Sequence, residues 1–238
     1  MHNEHYILKT ENLAAGYGGH TVLTDVSFGI EKGDVLVIIG QNGSGKSTLL
    51  KTLSGLLPKK AGSIWLKNNN GNQIQPHQLV RKGISYFTQG GLVMPALTVR
   101  EHLDLAAMQS DRKLGKTAFD VTFTEFPKLK EMQHQRAGNL SGGERQMLSF
   151  AILLTQQTDT WLLDEPTAGL SPDMVRFTAD YLQCKNSEGI TMLLVEHNMT
   201  VAFQLATHIT VAKEGTLTQK FTRQEFLQKD YLDKVFYN

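Results

Sequence analysis

The chain has almost no cysteine, no long apolar run and no excess of either charge. A single cysteine, Cys184, cannot close an internal disulfide, which suits a reducing compartment. No metal-ligand or redox spacing surrounds it, so it reads as a structural thiol. The longest apolar stretches, such as Val35 to Ile39 and Met192 to Val195, fall far below the roughly 20 residues that cross a bilayer. The amino-terminal Met1-His2-Asn3-Glu4-His5 has neither the basic start nor the apolar run of a secretory signal, and no secretion is expected. Any membrane role must therefore come through a partner. Lys and Arg total 24 against 23 Asp and Glu, a formal net charge of +1, so the basic footprint of a dedicated nucleic-acid binder is missing. Internal repeats, long heptads and Pro-rich or Ser-rich linkers are absent too, which argues against a second complete domain.

What is present is an alternation. With 238 residues, of which 40% are hydrophobic, the chain is long enough for a large buried core. Short apolar, β-rich runs at Asp34 to Ile39, Ile84 to Phe87, Thr160 to Leu163 and Thr191 to Val195 are each followed by a helical pattern. This predicts an α/β fold with a mixed, mainly parallel sheet covered by helices. After the first run, Leu49, Leu50, Leu53, Leu56 and Leu57 recur at helical spacing, with Pro58 as the expected stop. Asn68 to Asn72 is a turn-forming tract, expected to join elements of an antiparallel portion toward the amino end. Between about Thr98 and Leu154 the pattern turns mainly helical and then reverts, which reads as an inserted helical subdomain.

Gly40-Gln41-Asn42-Gly43-Ser44-Gly45-Lys46-Ser47 is a full match to the phosphate-binding loop, set between a predicted strand and a predicted helix. The glycines let backbone N–H groups point inward around phosphates, the helix start adds favourable potential, and Lys46 reaches the β- and γ-phosphates. Ser47 can ligate Mg²⁺, and Thr48 extends the polar rim. Asp164 and Glu165 follow a buried run. There Asp164 would hold Mg²⁺ directly or through water, and Glu165 would polarise the attacking water as general base. Alone, such a pair before Pro166 could equally be a solvated turn. Leu140-Ser141-Gly142-Gly143-Glu144 offers a hydroxyl and two glycines at a helix start, either a second anion site or a capping box. Gln89 and His197 each follow a predicted strand, where open α/β sheets place their ligands.

In this order, loop 40 to 48, Gln89, Leu140 to Glu144, Asp164-Glu165, Ala168 to Asp173 and His197, the motifs resemble the ABC-transporter ATPase family over nearly the whole chain. The resemblance implies a RecA-like P-loop NTPase core with an amino-terminal antiparallel β subdomain. Residues 6–220 would form a single domain with helices inserted at about 93–155, and 221–238 a short tail. It also implies a head-to-tail dimer with two ATP molecules between subunits, formed with a second copy or a related subunit. Tyr17 would stack on adenine, aided by Val22. Lys46, Ser47, Gln89, Asp164, Glu165 and His197 would serve the chain's own nucleotide, with Gln89 also near the metal. Ser141, Gly142 and Gly143 would close over the partner's ATP, and Asp173 would link the two sites.

Closer resemblance is to subunits serving importers of branched-chain and other hydrophobic amino acids and of urea. It rests on Phe126 to Leu129, Gln135 to Leu148 and Val195 to Met199. Two departures stand out: Ala151-Ile152-Leu153 lacks the usual arginine, and Gln89-Gly90-Gly91-Leu92 replaces a glutamate- and arginine-rich loop. The implied partners are an integral membrane permease, docking on an apolar groove around Leu92 to Leu97, and a substrate-binding protein. The implied location is the cytoplasmic face of the membrane. The alternatives are an exporter ATPase, a soluble ATPase of this family acting on ribosomes or DNA, and a non-hydrolysing regulatory module, which the presence of Glu165 and His197 disfavours.

Overall fold

The computed structural model describes residues 6–67, 69–72, 74–109 and 116–228. The chain opens with β1 (Tyr6–Ala15), β2 (Leu23–Glu31) and β3 (Val35–Ile39), then a glycine loop and α1 (Lys46–Leu53). Next come β4 (Lys59–Leu66), β5 (Asn69–Asn70) and β6 (Ile84–Phe87). Helices α2 (Val99–Gln109), α3 (Lys116–Glu125), α4 (Pro127–Glu131) and α5 (Gly142–Gln156) intervene before β7 (Thr160–Asp164). Alternation resumes with α6 (Pro172–Ser187), β8 (Thr191–Val195), α7 (Met199–Leu205) and β9 (His208–Lys213). The described chain ends with β10 (Thr216–Leu217), β11 (Phe221–Thr222) and α8 (Arg223–Gln228).

Every residue of β3, β7 and β8 is buried, and that is why their sequences run as continuous apolar blocks rather than alternating with polar residues. Successive side chains still point to opposite faces. Val35, Val37, Ile39, Trp161, Leu163, Met192 and Leu194 enter one core with α2, α5, α6 and α7. Leu36, Ile38, Leu162, Leu193 and Val195 enter a second core with α1 and the amino-terminal strands. The central sheet runs β10-β9-β3-β8-β7-β6, with β9, β3, β8, β7 and β6 parallel and β10 and β11 antiparallel to β9. A separate antiparallel sheet has the order β2-β1-β4-β5. The fold is therefore the expected α/β core with its antiparallel amino-terminal sheet.

Two boundaries differ from the sequence expectation. Helix α1 stops at Leu53, so Leu56 and Leu57 lie beyond it. Gly55, at φ 77°, takes the left-handed conformation that ends helices, and Leu57 N–H turns back to the Lys51 carbonyl. Glycine acts before Pro58 is reached. Residues 221–228 of the expected tail also stay with the body, as β11 pairs with β9 and Phe221 and Phe226 are buried in the helix-side core; 229–238 lie outside the described residues. Within the Asn68 to Asn72 tract, Asn69–Asn70 forms β5 against β4, and Asn68 lies outside the described residues.

Candidate active site

Parallel strands that run side by side deliver their carboxyl ends to one edge, and that edge gathers the site. The glycine loop leaves β3, Gln89 follows β6, Asp164 ends β7 with Glu165 next, and His197 lies just past β8. Gly40 stands at φ 155°, and a Cβ there would run into the Ala212 carbonyl oxygen, so backbone packing leaves no room for a side chain. Gly45, at φ 100°, heads α1, whose first N–H groups have no intrahelical partner.

Lys46 Nζ donates to the Gly40 and Gln41 carbonyls at 2.8 Å each. Burial lowers the pKa of this ammonium, while Glu165 and Asp164 pull it back up. Asp164, 3% exposed, accepts from Ser47 Oγ at 3.1 Å and from Tyr86 Oη at 3.3 Å. Burial pushes its carboxyl pKa up and Glu165 adds to this, whereas the bonds from Ser47 and Tyr86 and the charge of Lys51 oppose it. The Tyr86 phenol is raised by its own burial first and by Asp164 second. A buried carboxylate beside a hydroxyl fits a divalent cation. Among the described residues no group of three His, Cys, Asp or Glu converges on a metal site, so such a cation would complete its shell with phosphate oxygens and water.

Glu165 takes a left-handed conformation, φ 49°, uncommon for a residue with a side chain. Its backbone N–H still bonds Val195 O at 3.0 Å. Oε2 accepts from Gln89 Nε2 at 2.9 Å. Oε1 lies 2.7 Å from His197 Nε2, a close approach without the alignment of a hydrogen bond. Strain of this kind is held by surrounding structure and concentrates at reactive sites.

A cleft of about 600 Å³ opens here, lined by Val22, Asn42, Gly43, Gly45 to Thr48, Gln89, Glu165 and His197. Gly40, Gln41 and Ser44 shape the loop from behind, and the Ser44 hydroxyl is buried without a protein partner. Tyr17, half exposed, and Ser141, Gly142 and Gly143 do not line this cleft. Ser141 caps α5 in a full capping box, with Glu144 N–H donating to its Oγ at 3.3 Å. A larger cleft, about 1140 Å³, lies between the end of α1 and the β4–β5 hairpin and holds none of these residues. Tyr86 belongs to the site and had no motif to announce it, because its only sequence mark is a place on a strand beside β7.

Residues 23–168 match the family model described as ABC transporter. A probable branched-chain amino acid transport ATP-binding protein, LivF, of Archaeoglobus fulgidus is 36% identical over 96% of this chain and 98% of its own. This chain belongs to the ABC transporter ATP-binding family. The high-affinity branched-chain amino acid transport ATP-binding protein BraG of Pseudomonas aeruginosa is 35% identical over 91% of this chain and 93% of its own. An ATP-binding cassette crystallised in its ADP conformation superposes with a TM-score of 0.84 at 27% identity, covering 98% of this chain and 99% of that one. The cassette is an ATPase, and proteins of this family dimerise and work with a membrane permease. Among the described residues no helix is long and apolar enough to cross a membrane.

Proposed function

We propose that this cassette is the cytoplasmic-face motor of an importer for branched-chain or other hydrophobic amino acids, fed by a substrate-binding protein. The observation that carries the motor reading is the convergence of Lys46, Gln89, Glu165 and His197 on one cleft from separate strand ends, with Asp164 bonded to Ser47 of its lining. The substrate class is supported by the likeness to LivF and BraG along nearly the whole chain. A second reading, export, has support in a 28% likeness over 96% of the chain to the lipopolysaccharide export ATP-binding protein LptB of Escherichia coli.

In this reading the loop N–H groups and Lys46 hold the phosphates, and Lys46 leaves the Gly40 and Gln41 carbonyls to do so. Val22 and Tyr17 support the adenine. Ser47, Asp164 and Gln89 would hold Mg²⁺, which would supply charge neutralisation to the phosphates. Gln89 and His197 orient water and the γ-phosphate about Glu165. Glu165 accepts the water proton as the oxygen bonds to the γ-phosphorus and the bond to the bridging oxygen breaks, releasing ADP and phosphate. Ser141, Gly142 and Gly143 act on the nucleotide of a second subunit, identical or related, which accounts for their place outside their own cleft.

The permease docks where Leu56, Met94 and Leu105, all large and exposed, border a groove of about 240 Å³ floored by Ala106 and Ile152. Tagged Glu165→Gln protein, recovered from native membranes with ATP, tests the whole reading by mass spectrometry. Multispan permease subunits with an amino-acid-binding protein are the expected partners. Ribosomal or DNA-associated proteins in their place would overturn the transport reading, and an export complex would decide for the second one.

A further inference from the structure

Glu196 is a carboxylate in the interior, 2% exposed, at the end of β8. Burying a charge is costly unless hydrogen bonds repay it. Here three donors converge on a single oxygen. Oε1 accepts from Thr167 Oγ1 at 2.7 Å, from Asn198 N–H at 3.0 Å and from His197 N–H at 3.2 Å, while Oε2 is buried without a protein partner. Those donors come from the two loops that carry the reacting groups. Thr167 lies in the turn that leaves Glu165, and His197 supplies the imidazole that approaches Glu165. The Glu165 turn is gripped from its other side as well, because Gln146 Nε2 of α5 donates to Pro166 O at 2.7 Å.

We propose that Glu196 is a positioning residue for hydrolysis, fixing the His197 backbone and the Glu165 turn in one register, and through Gln146 tying both to the helix that Ser141 heads. Glu196 touches no substrate in this arrangement. It acts by holding the imidazole and the general base at their working separation, and it does so only if His197 and Glu165 have the roles assigned above.

The test is steady-state ATP hydrolysis by the full chain carrying Glu196→Ala, Glu196→Gln or His197→Ala, with thermal melting as a control. A displacement of about an ångström at a reacting group can cost on the order of 100-fold in rate, so Glu196→Ala is expected to lose about 10- to 100-fold in kcat, with KM for ATP within about 3-fold of native. Glu196→Gln keeps the accepting oxygen and restores kcat to within about 3-fold. Native kcat in Glu196→Ala, a change confined to KM, or a Gln variant as slow as the Ala variant would each overturn the proposal. His197→Ala separates the two readings. If it is slow while Glu196→Ala is native, only the positioning role fails, and if it is itself native the His197 assignment fails and the proposal with it. Should Glu196→Ala not fold, Thr167→Val removes one donor while keeping the side-chain shape. A several-fold lower kcat at unchanged KM, restored by Thr167→Ser, is then expected, and native kcat in Thr167→Val would overturn the proposal.

Discussion

Asp164 is where burial and function oppose each other most directly. Its carboxylate sits 3% exposed, and burial holds its pKa above the ordinary value against two hydrogen bonds. Its burial is costly on its own, and in the proposed reading a bound cation offsets that cost. Asp164→Asn should raise the melting temperature of the nucleotide-free chain, by about 2–4 °C for each kcal/mol of relieved burial, while removing Mg²⁺-dependent hydrolysis. A lower melting temperature would mean that Ser47 and Tyr86 more than offset the burial. Much of this residue scale was legible in the sequence, because the phosphate loop and the acid pair depend on residue type at fixed spacing. Tyr86 and Glu196 were not, since each acquires its role from a neighbour distant in sequence.

Helix α5 is held at its start by a capping box and an ion pair. Glu144 Oε2 accepts from Ser141 N–H at 2.8 Å, and Oε1 lies 2.8 Å from Lys128 Nζ of α4. The Lys128 bond first, and the Ser141 N–H second, hold the Glu144 pKa at about 2 against an ordinary 4.5. A depressed acid contributes stability that is complete above the unfolded value and lost as pH falls through the folded one. Glu144→Gln should therefore lower stability at neutral pH and flatten the acid limb of the stability curve between about pH 4.5 and about 2, read by denaturant melts across that range. The structure shows the capping-box reading of Ser141, whose hydroxyl accepts from the Glu144 N–H, and leaves the residue exposed at a helix start. The carboxyl end of the chain was harder to read. Phe221 and Phe226 have no periodic apolar company, and their burial comes from β11 folding back onto β9, with β10 between them in the chain. Phe226→Ala should cost about 3–5 kcal/mol in a chemical-denaturation measurement, as for other buried aromatic truncations, and a change below about 1 kcal/mol would place the ring outside the core.

At the scale of the whole molecule, the cleft is lined by the glycine loop, Glu165 and His197 but by none of Ser141 to Gly143, which is why we assign those groups to the nucleotide of a second subunit. The exposed apolar edge at Leu56, Met94 and Leu105 is where we propose that the permease docks. Met94→Glu should abolish recovery of the permease with this subunit, because a charge would enter an apolar groove, and undiminished recovery would move the docking site elsewhere. The sheet order was legible only as a class: continuous apolar runs announce buried parallel strands, but their sequence of neighbours is set by crossovers that no local pattern encodes. The most direct test of the account is Mg²⁺-ATP binding and turnover by the native chain and by Glu165→Gln side by side. The account predicts that the variant binds ATP as the native chain does while kcat falls by about 10²–10⁴-fold, the usual contribution of a general base. Native turnover in Glu165→Gln, or a loss of ATP binding with turnover preserved at saturation, would contradict it.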